Sequence, residues 1–241
     1  MLDFAAWTQR VSAFLRRLTR LPGAINIYDS VEPPATDRYD LDWLESDKSG
    51  IPNELRRFLA TGSKRCAFGY NWTPPAEHLA ANAGVFSGCP VFHGGGDLCE
   101  AAKYHNYADR DWFRDNLDPL FASFGLAEEA NNLTRRGGAM AEEQMHGRVP
   151  ILELKDGAVI SLALQERNDI WAVVYVKKAG DPATQILGQS FERFLLDWEM
   201  TCYTDPSIDN LAPWIDPVTR QLCPDPEKSR ALCRLLCGND L

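Results

Sequence analysis

The chain has no run approaching the roughly 20 consecutive apolar residues that a membrane-spanning helix needs, so no such helix is expected. It also lacks any C-x-x-C pair, and the pairs at four-residue spacing, Cys89 with His93 and Cys233 with Cys237, have no evident partner pair, which argues against a structural zinc site. Neither G-x-G-x-x-G nor a glycine loop ending in G-K-[ST] occurs, so the common nucleotide-phosphate cradles are excluded. Positive charge is scarce: 25 Lys and Arg stand against 34 Asp and Glu, for a net charge of −9. That leaves no basic footprint for nucleic acid or an anionic membrane surface, and it suits a basic protein partner. The opening MLDFAAWTQRV carries Asp3 and has no basic stretch before an apolar one, so no signal peptide is expected. Seven cysteines in no tight pairing pattern fit a reducing compartment, and the expected location is the cytoplasm.

What is present reads as one α+β domain over residues 1–241, with hydrophobic residues at 45%, enough to bury a sizeable core. Phe4, Trp7, Val11, Phe14, Leu15 and Leu18 recur at helical spacing, and Pro22-Gly23 ends that helix. Its other face carries Arg10, Arg16, Arg17 and Arg20, read as a solvated surface. Pro52 opens a second helix with Leu55, Phe58 and Leu59 inward and Gly62 as its stop, followed by a short strand reaching Trp72. Val149–Leu154, Val159–Leu164 and Val173–Tyr175 read as strands, the first two joined by a tight turn at Asp156-Gly157. Phe191, Phe194, Leu195, Trp198 and Cys202 then lie on one helix face, against that sheet. Leu152, Leu154, Ile160, Leu162, Val174, Phe191, Phe194, Leu195 and Trp198 are the expected shared core.

Between these parts the pattern is less regular. Ala76–Ala83 reads as a short helical piece and Gly84–Gly96 as a glycine-rich loop. Asp109–Phe124 and Ala127–Gly147 read as a mid-chain helical insertion. A proline-rich tail, 204–241, ends in a helix around Glu227–Cys237. Trp7, Trp112 and Trp198 are read as core, whereas Trp72 and Trp214, close to prolines, are candidates to face a partner.

The order of Gly50-Ile51-Pro52-Asn53-Glu54-Leu55-Arg56-Arg57-Phe58-Leu59, the aromatic Phe68-Gly69-Tyr70-Asn71-Trp72, the three strands, and Ser190-Phe191 with Phe194-Leu195 resembles the SUKH superfamily. That family includes the fungal Smi/Knr regulators of cell-wall synthesis, and the resemblance covers about residues 50–203. Ile51 departs from the family's usual leucine, 86–132 has no family counterpart, and 204–241 extends past the usual domain end. The resemblance implies an antiparallel sheet covered by helices. For stand-alone bacterial members it implies an immunity protein that neutralises a toxin, often a nuclease, by direct binding; a regulatory scaffold of the Smi/Knr type is an alternative.

Catalytic constellations fare poorly. His93-Gly94-Gly95-Gly96 matches the HGGG oxyanion loop of some esterases, but no G-x-S-x-G follows, and the last histidine, His146, precedes the nearest candidate serine, Ser190. Cys89 or Cys99 with His93 or His105 supplies the residue types of a thiol nucleophile and base without a recognised signature. An enzyme using the Cys/His/Gly-rich stretch 84–105 is therefore the alternative to a binding protein. Cys233 and Cys237 share a helix face but have no evident ligand partners. No catalytic, cofactor or metal residue is assigned. The expected partner surface is the acidic stretch Asp29–Asp47, with seven acids against Arg38 alone, read as linker-like. In it Asp40, Asp42, Glu45 and Asp47 attract a basic toxin domain, and Trp43 is the apolar anchor.

Overall fold

A computed structural model describes residues 1–35, 52–77, 91–98, 148–154, 158–165, 170–176 and 184–237. Helix α1 (Phe4–Leu18) starts where Asp3 caps it, its Oδ1 accepting from the Ala6 N–H at 2.9 Å. The expected stripe is the buried one: Phe4, Trp7, Val11, Leu15 and Leu18 are shielded from solvent, with Phe14 packed at its edge. The polar face is partly engaged within the molecule, because Arg10 makes a bidentate pair with Glu199 at 2.6 and 2.9 Å. Helix α2 (Asn53–Thr61) follows Pro52 and stops at Gly62, with Leu55, Phe58 and Leu59 inward as its spacing dictates.

The described residues form a seven-stranded antiparallel sheet in which every strand pairs with the next one in the chain. Its strands are β1 (Ala24–Val31), β2 (Cys66–Trp72), β3 (Phe92–Leu98), β4 (Arg148–Glu153), β5 (Val159–Gln165), β6 (Ile170–Val176) and β7 (Thr184–Gly188). With α3 (Phe191–Met200), α4 (Ile208–Leu211), a 3-10 turn (Ala212–Trp214) and α5 (Pro226–Cys237), this is an α+β fold. Strands β2, β4, β5 and β6 and helices α1, α2, α3 and α5 fall where the sequence placed them. The residues of the Asp156-Gly157 turn lie outside the described ones, although β4 and β5 pair as the expected hairpin, Glu153 opposite Val159. Helices expected over Asp109–Phe124 and Ala127–Gly147, with Trp112, also fall outside, as does most of Ala76–Ala83.

Three strands were not expected. β1 occupies the start of the supposed acidic linker, so Asp29 belongs to a strand. β7 is short, and β3 takes up Phe92–Gly96, the end of the supposed glycine loop, whose residues 84–90 lie outside the described ones.

All nine expected core residues are buried. Eight join one cluster beneath α1, α2 and α3; Val174 does not. Core-facing Leu162 and Ile160 lie opposite Val173 and Tyr175, so strand alternation turns Val174 to the other face of the sheet. Aromatic rings dominate the cluster: Trp198 stacks on Phe194 at 5.8 Å and leans on Phe68 at 5.3 Å, while Trp7 reaches both Phe58 and Tyr203.

The tail is no appendage. Leu211, Trp214, Leu222, Leu232 and Leu236 enter the same core, and the Leu222 N–H donates to the Leu187 carbonyl of β7 at 3.2 Å. Nor do the two proline-flanked tryptophans face outward. Trp72 is 1% exposed with its indole N–H donating to the Pro22 carbonyl, and Trp214 is 2% exposed beneath the Lys228 ammonium. A buried ring whose N–H finds a backbone acceptor is a core residue, whatever its neighbours in sequence.

Among the described residues β3 and β4 meet at Leu98, opposite Leu152. Along the rest of that side of β3 runs the segment leaving α3. The Gly95 N–H donates to the Tyr203 carbonyl at 2.7 Å, and the Asp205 N–H donates to the His93 carbonyl at 2.9 Å.

Candidate functional site

The His93-Gly94-Gly95-Gly96 motif is a strand whose glycines are set by what lies against them. A Cβ on Gly94 would overlap the ring of Tyr70, and one on Gly96 would press on Leu152 and Trp198. Gly95 has φ +104, a conformation that favours glycine, and lies against the Phe68–Gly69 backbone of β2. The motif therefore serves close packing, and its backbone N–H at Gly95 is already bonded to Tyr203.

His93 itself projects from the sheet face opposite the helices. Antiparallel partners share a face, so β1, β2 and β3 lay three rungs across it: Ile25–Asn71–His93, Tyr28–Gly69–Gly95 and Ser30–Ala67–Asp97. Residues three apart in a regular strand point opposite ways; Ile25 and Tyr28 share this face because β1 is bulged between them, with Asn26 at φ +53. Both side chains stand exposed, at 56% and 53%. The Tyr28 ring lies over Gly69, where any Cβ would collide with it. Partial burial, then the nearby carboxylates of Asp97 and Asp205, hold its phenol above the ordinary tyrosine range, with Arg65 opposing.

The polar groups on this face are paired. His93 Nδ1 donates to Asn71 Oδ1 at 2.7 Å. Arg65 grips Asp97 with both arms of its fork, Nε to Oδ1 at 3.0 Å and Nη2 to Oδ2 at 2.5 Å. His93 and Asp97 are four residues apart along one strand, about 13 Å, so they cannot exchange a proton directly. The arrangement is a rigid, mixed apolar and polar patch with two large side chains free on top.

A second cluster lies at the end of α3. Cys202 and Tyr203 both have left-handed backbones, φ +53 and +55, which non-glycine residues adopt at a cost of about 1–2 kcal/mol each. The turn is held by the Tyr203 N–H donating to the Trp198 carbonyl at 3.0 Å and the Tyr70 hydroxyl donating to the Cys202 carbonyl at 2.6 Å. It presents the Cys202 thiol to Cys233 of α5, sulfur to sulfur at 2.7 Å. Burial pushes the Cys202 thiol well above its ordinary range; the hydrogen bond from Cys202 lowers that of half-buried Cys233. Cys237, one helical turn on, is held above the ordinary range by burial and by Cys233, with Arg17 opposing.

Of the residues singled out from sequence, Asp40, Asp42, Trp43, Glu45 and Asp47 lie outside the described ones, as do Cys89, Cys99, His105 and His146. His93 is placed on the open sheet face, and Cys233 and Cys237 are brought beside Cys202. Ile25 and Tyr28 were missed, although Ile25, Ile27, Tyr28 and Val31 form a β-rich run. Among the described residues no three His, Cys, Asp or Glu side chains converge in a way that could hold a metal ion. No helix among them is long and apolar enough to cross a membrane. Set against protein-family models, curated proteins and solved structures, the chain matches none.

Proposed function

We propose that this protein is a cytoplasmic, non-enzymatic binding module that neutralises a basic toxin domain by docking on it. The observation that carries this reading is the exposed Ile25–Tyr28 pair, fixed on a rigid sheet face and bordered by Asn71, His93 and the Arg65–Asp97 pair. A large aromatic standing on a preordered base loses little freedom when covered, which is why Tyr is enriched among residues that dominate interface energies. Strand addition at the β1 edge is disfavoured, because its bulge breaks the row of backbone groups an added strand would need. Docking therefore runs through side chains on the face.

The net charge of −9, Asp205 near Tyr28, and the acidic stretch through Asp40, Asp42, Glu45 and Asp47 favour a basic partner by complementary fields. Trp43 is a second apolar anchor in this scheme. The resemblance to the SUKH superfamily supplies the class of partner, a toxin such as a nuclease.

The test is affinity purification from the native host with wild-type protein and with Tyr28→Ala. A basic toxin domain recovered in stoichiometric complex with the wild type, inhibited by it in an activity assay, and bound about 30-fold more weakly by the variant is the expected result. A toxin bound equally well by Tyr28→Ala would move the interface elsewhere. Recovery of no stoichiometric partner, or turnover of a substrate abolished by His93→Ala, would overturn the reading.

A further inference from the structure

We propose that Cys202 and Cys233 form a reversible intramolecular disulfide that fastens α5 to the end of α3, made by thiol exchange with a low-molecular-weight disulfide such as oxidised glutathione. Three observations carry it. The two sulfurs face each other at 2.7 Å, already inside ordinary non-bonded contact and near the roughly 2.05 Å of a covalent bond. The backbone at Cys202 is held in an unfavourable left-handed turn by hydrogen bonds from its neighbours, so the thiol's direction is fixed before any reaction. The two thiols also differ: Cys202 is 1% exposed, whereas Cys233 is half-buried on α5 and reachable from outside.

That difference sets the order of steps. Cys233 loses its proton to solvent, and its thiolate attacks one sulfur of the external disulfide. A mixed disulfide forms on Cys233, and one glutathione thiolate leaves and takes up a proton. Cys202 then gives up its proton and attacks Cys233 Sγ, expelling the second glutathione. Two protein thiols are oxidised, one glutathione disulfide is reduced to two thiols, and the two protons end on those thiols. The hydrogen bond from Cys202 that favours the Cys233 thiolate makes Cys233 the attacking group, and burial reserves Cys202 for the internal step.

The fully reduced full-length protein would be incubated with oxidised glutathione, alkylated in denaturant and mapped by mass spectrometry. The expected product is a Cys202–Cys233 cross-link with loss of about 2 Da and no retained glutathione. Cys202→Ser should instead trap glutathione on Cys233, and Cys233→Ser should leave Cys202 open to alkylation only after unfolding. Wild-type protein with both thiols alkylated, or linked through Cys237 instead, would overturn the proposal. So would a Cys202→Ser protein that folds and takes up no glutathione at Cys233. Should that variant not fold, the wild-type map decides alone.

Discussion

The ring of Tyr70 lies against Gly94 of the neighbouring strand, in the space a side chain at position 94 would fill. Tyr70 cannot swing away, because its hydroxyl donates to the Cys202 carbonyl at 2.6 Å and its ring packs against Phe14 and Phe92. Gly94→Ala should therefore cost about 1–3 kcal/mol through overpacking and lower the melting temperature by roughly 2–4 °C per kcal/mol. An unchanged denaturation midpoint would contradict this packing.

Glu192 joins three parts of the chain. It accepts from the Leu2 N–H at 2.9 Å and from Arg57 Nη1 of α2 at 2.7 Å, while its own N–H donates to Glu54. Burial alone would raise its carboxyl pKa, but the Leu2 and Arg57 hydrogen bonds outweigh it and the net shift is downward. A lowered carboxyl stabilises the fold above the ordinary glutamate value, and that contribution fades as pH falls through the folded value. Glu192→Gln should cost about 1–2 kcal/mol at neutral pH, Arg57 being 37% exposed and partly screened, and the difference from wild type should shrink in acid. A difference that does not vary with pH would show the carboxylate charge to be irrelevant.

Asp197 behaves in the opposite sense. It is 2% exposed, its Oδ1 has no hydrogen-bond partner, and only Oδ2 accepts, from Arg193 at 2.7 Å. Burial raises its carboxyl pKa and Arg193 only partly offsets this. For a raised carboxyl the stabilising contribution is complete below the ordinary aspartate value and is lost as pH rises through the folded one. Asp197→Asn should accordingly raise the melting temperature at neutral pH relative to its effect in acid. A variant more destabilised at neutral pH than in acid would show that the ion pair with Arg193 outweighs the buried charge.

The acidic stretch makes a kinetic prediction for the proposed complex. Neutralising Asp40, Asp42, Glu45 and Asp47 together should slow association with the proposed basic partner several-fold at low salt. The effect should fade above about 0.5 M salt, where screening acts within a few ångströms. Stopped-flow association at two salt concentrations checks it; a quadruple variant that associates at the wild-type rate at low salt places the steering charge elsewhere.

The parts of the fold that were legible are those where one local rule decides. Spacing located α1 and α3, Pro52 together with spacing located α2, and alternation located β5. β1 was hidden because its bulge at Asn26 breaks the alternation and an edge strand exposes most of its residues. β3 was hidden because three glycines read as a loop until the rings of Tyr70 and Trp198, remote in sequence, are seen to lie against Gly94 and Gly96. The open face with Ile25 and Tyr28 depends on that same bulge, so composition could suggest a binding protein without pointing to these residues. The Cys202–Cys233 approach joins residues 31 apart through a left-handed turn that no helix pattern announces.

Leu98 of β3 lies opposite Leu152 of β4, and on the same side of β3 the segment leaving α3 takes up the backbone of His93 and Gly95. Trp198 closes that corner: its ring and the Leu152 side chain both lie by Gly96, while its indole N–H donates to the Thr204 carbonyl at 2.7 Å. The strand thus borrows a neighbour from beyond a helix, and an indole wedges the borrowed segment in place. Amide protons of Gly95 and Asp205, whose bonds close onto that segment, should exchange with solvent before those in the β5–β6 interior.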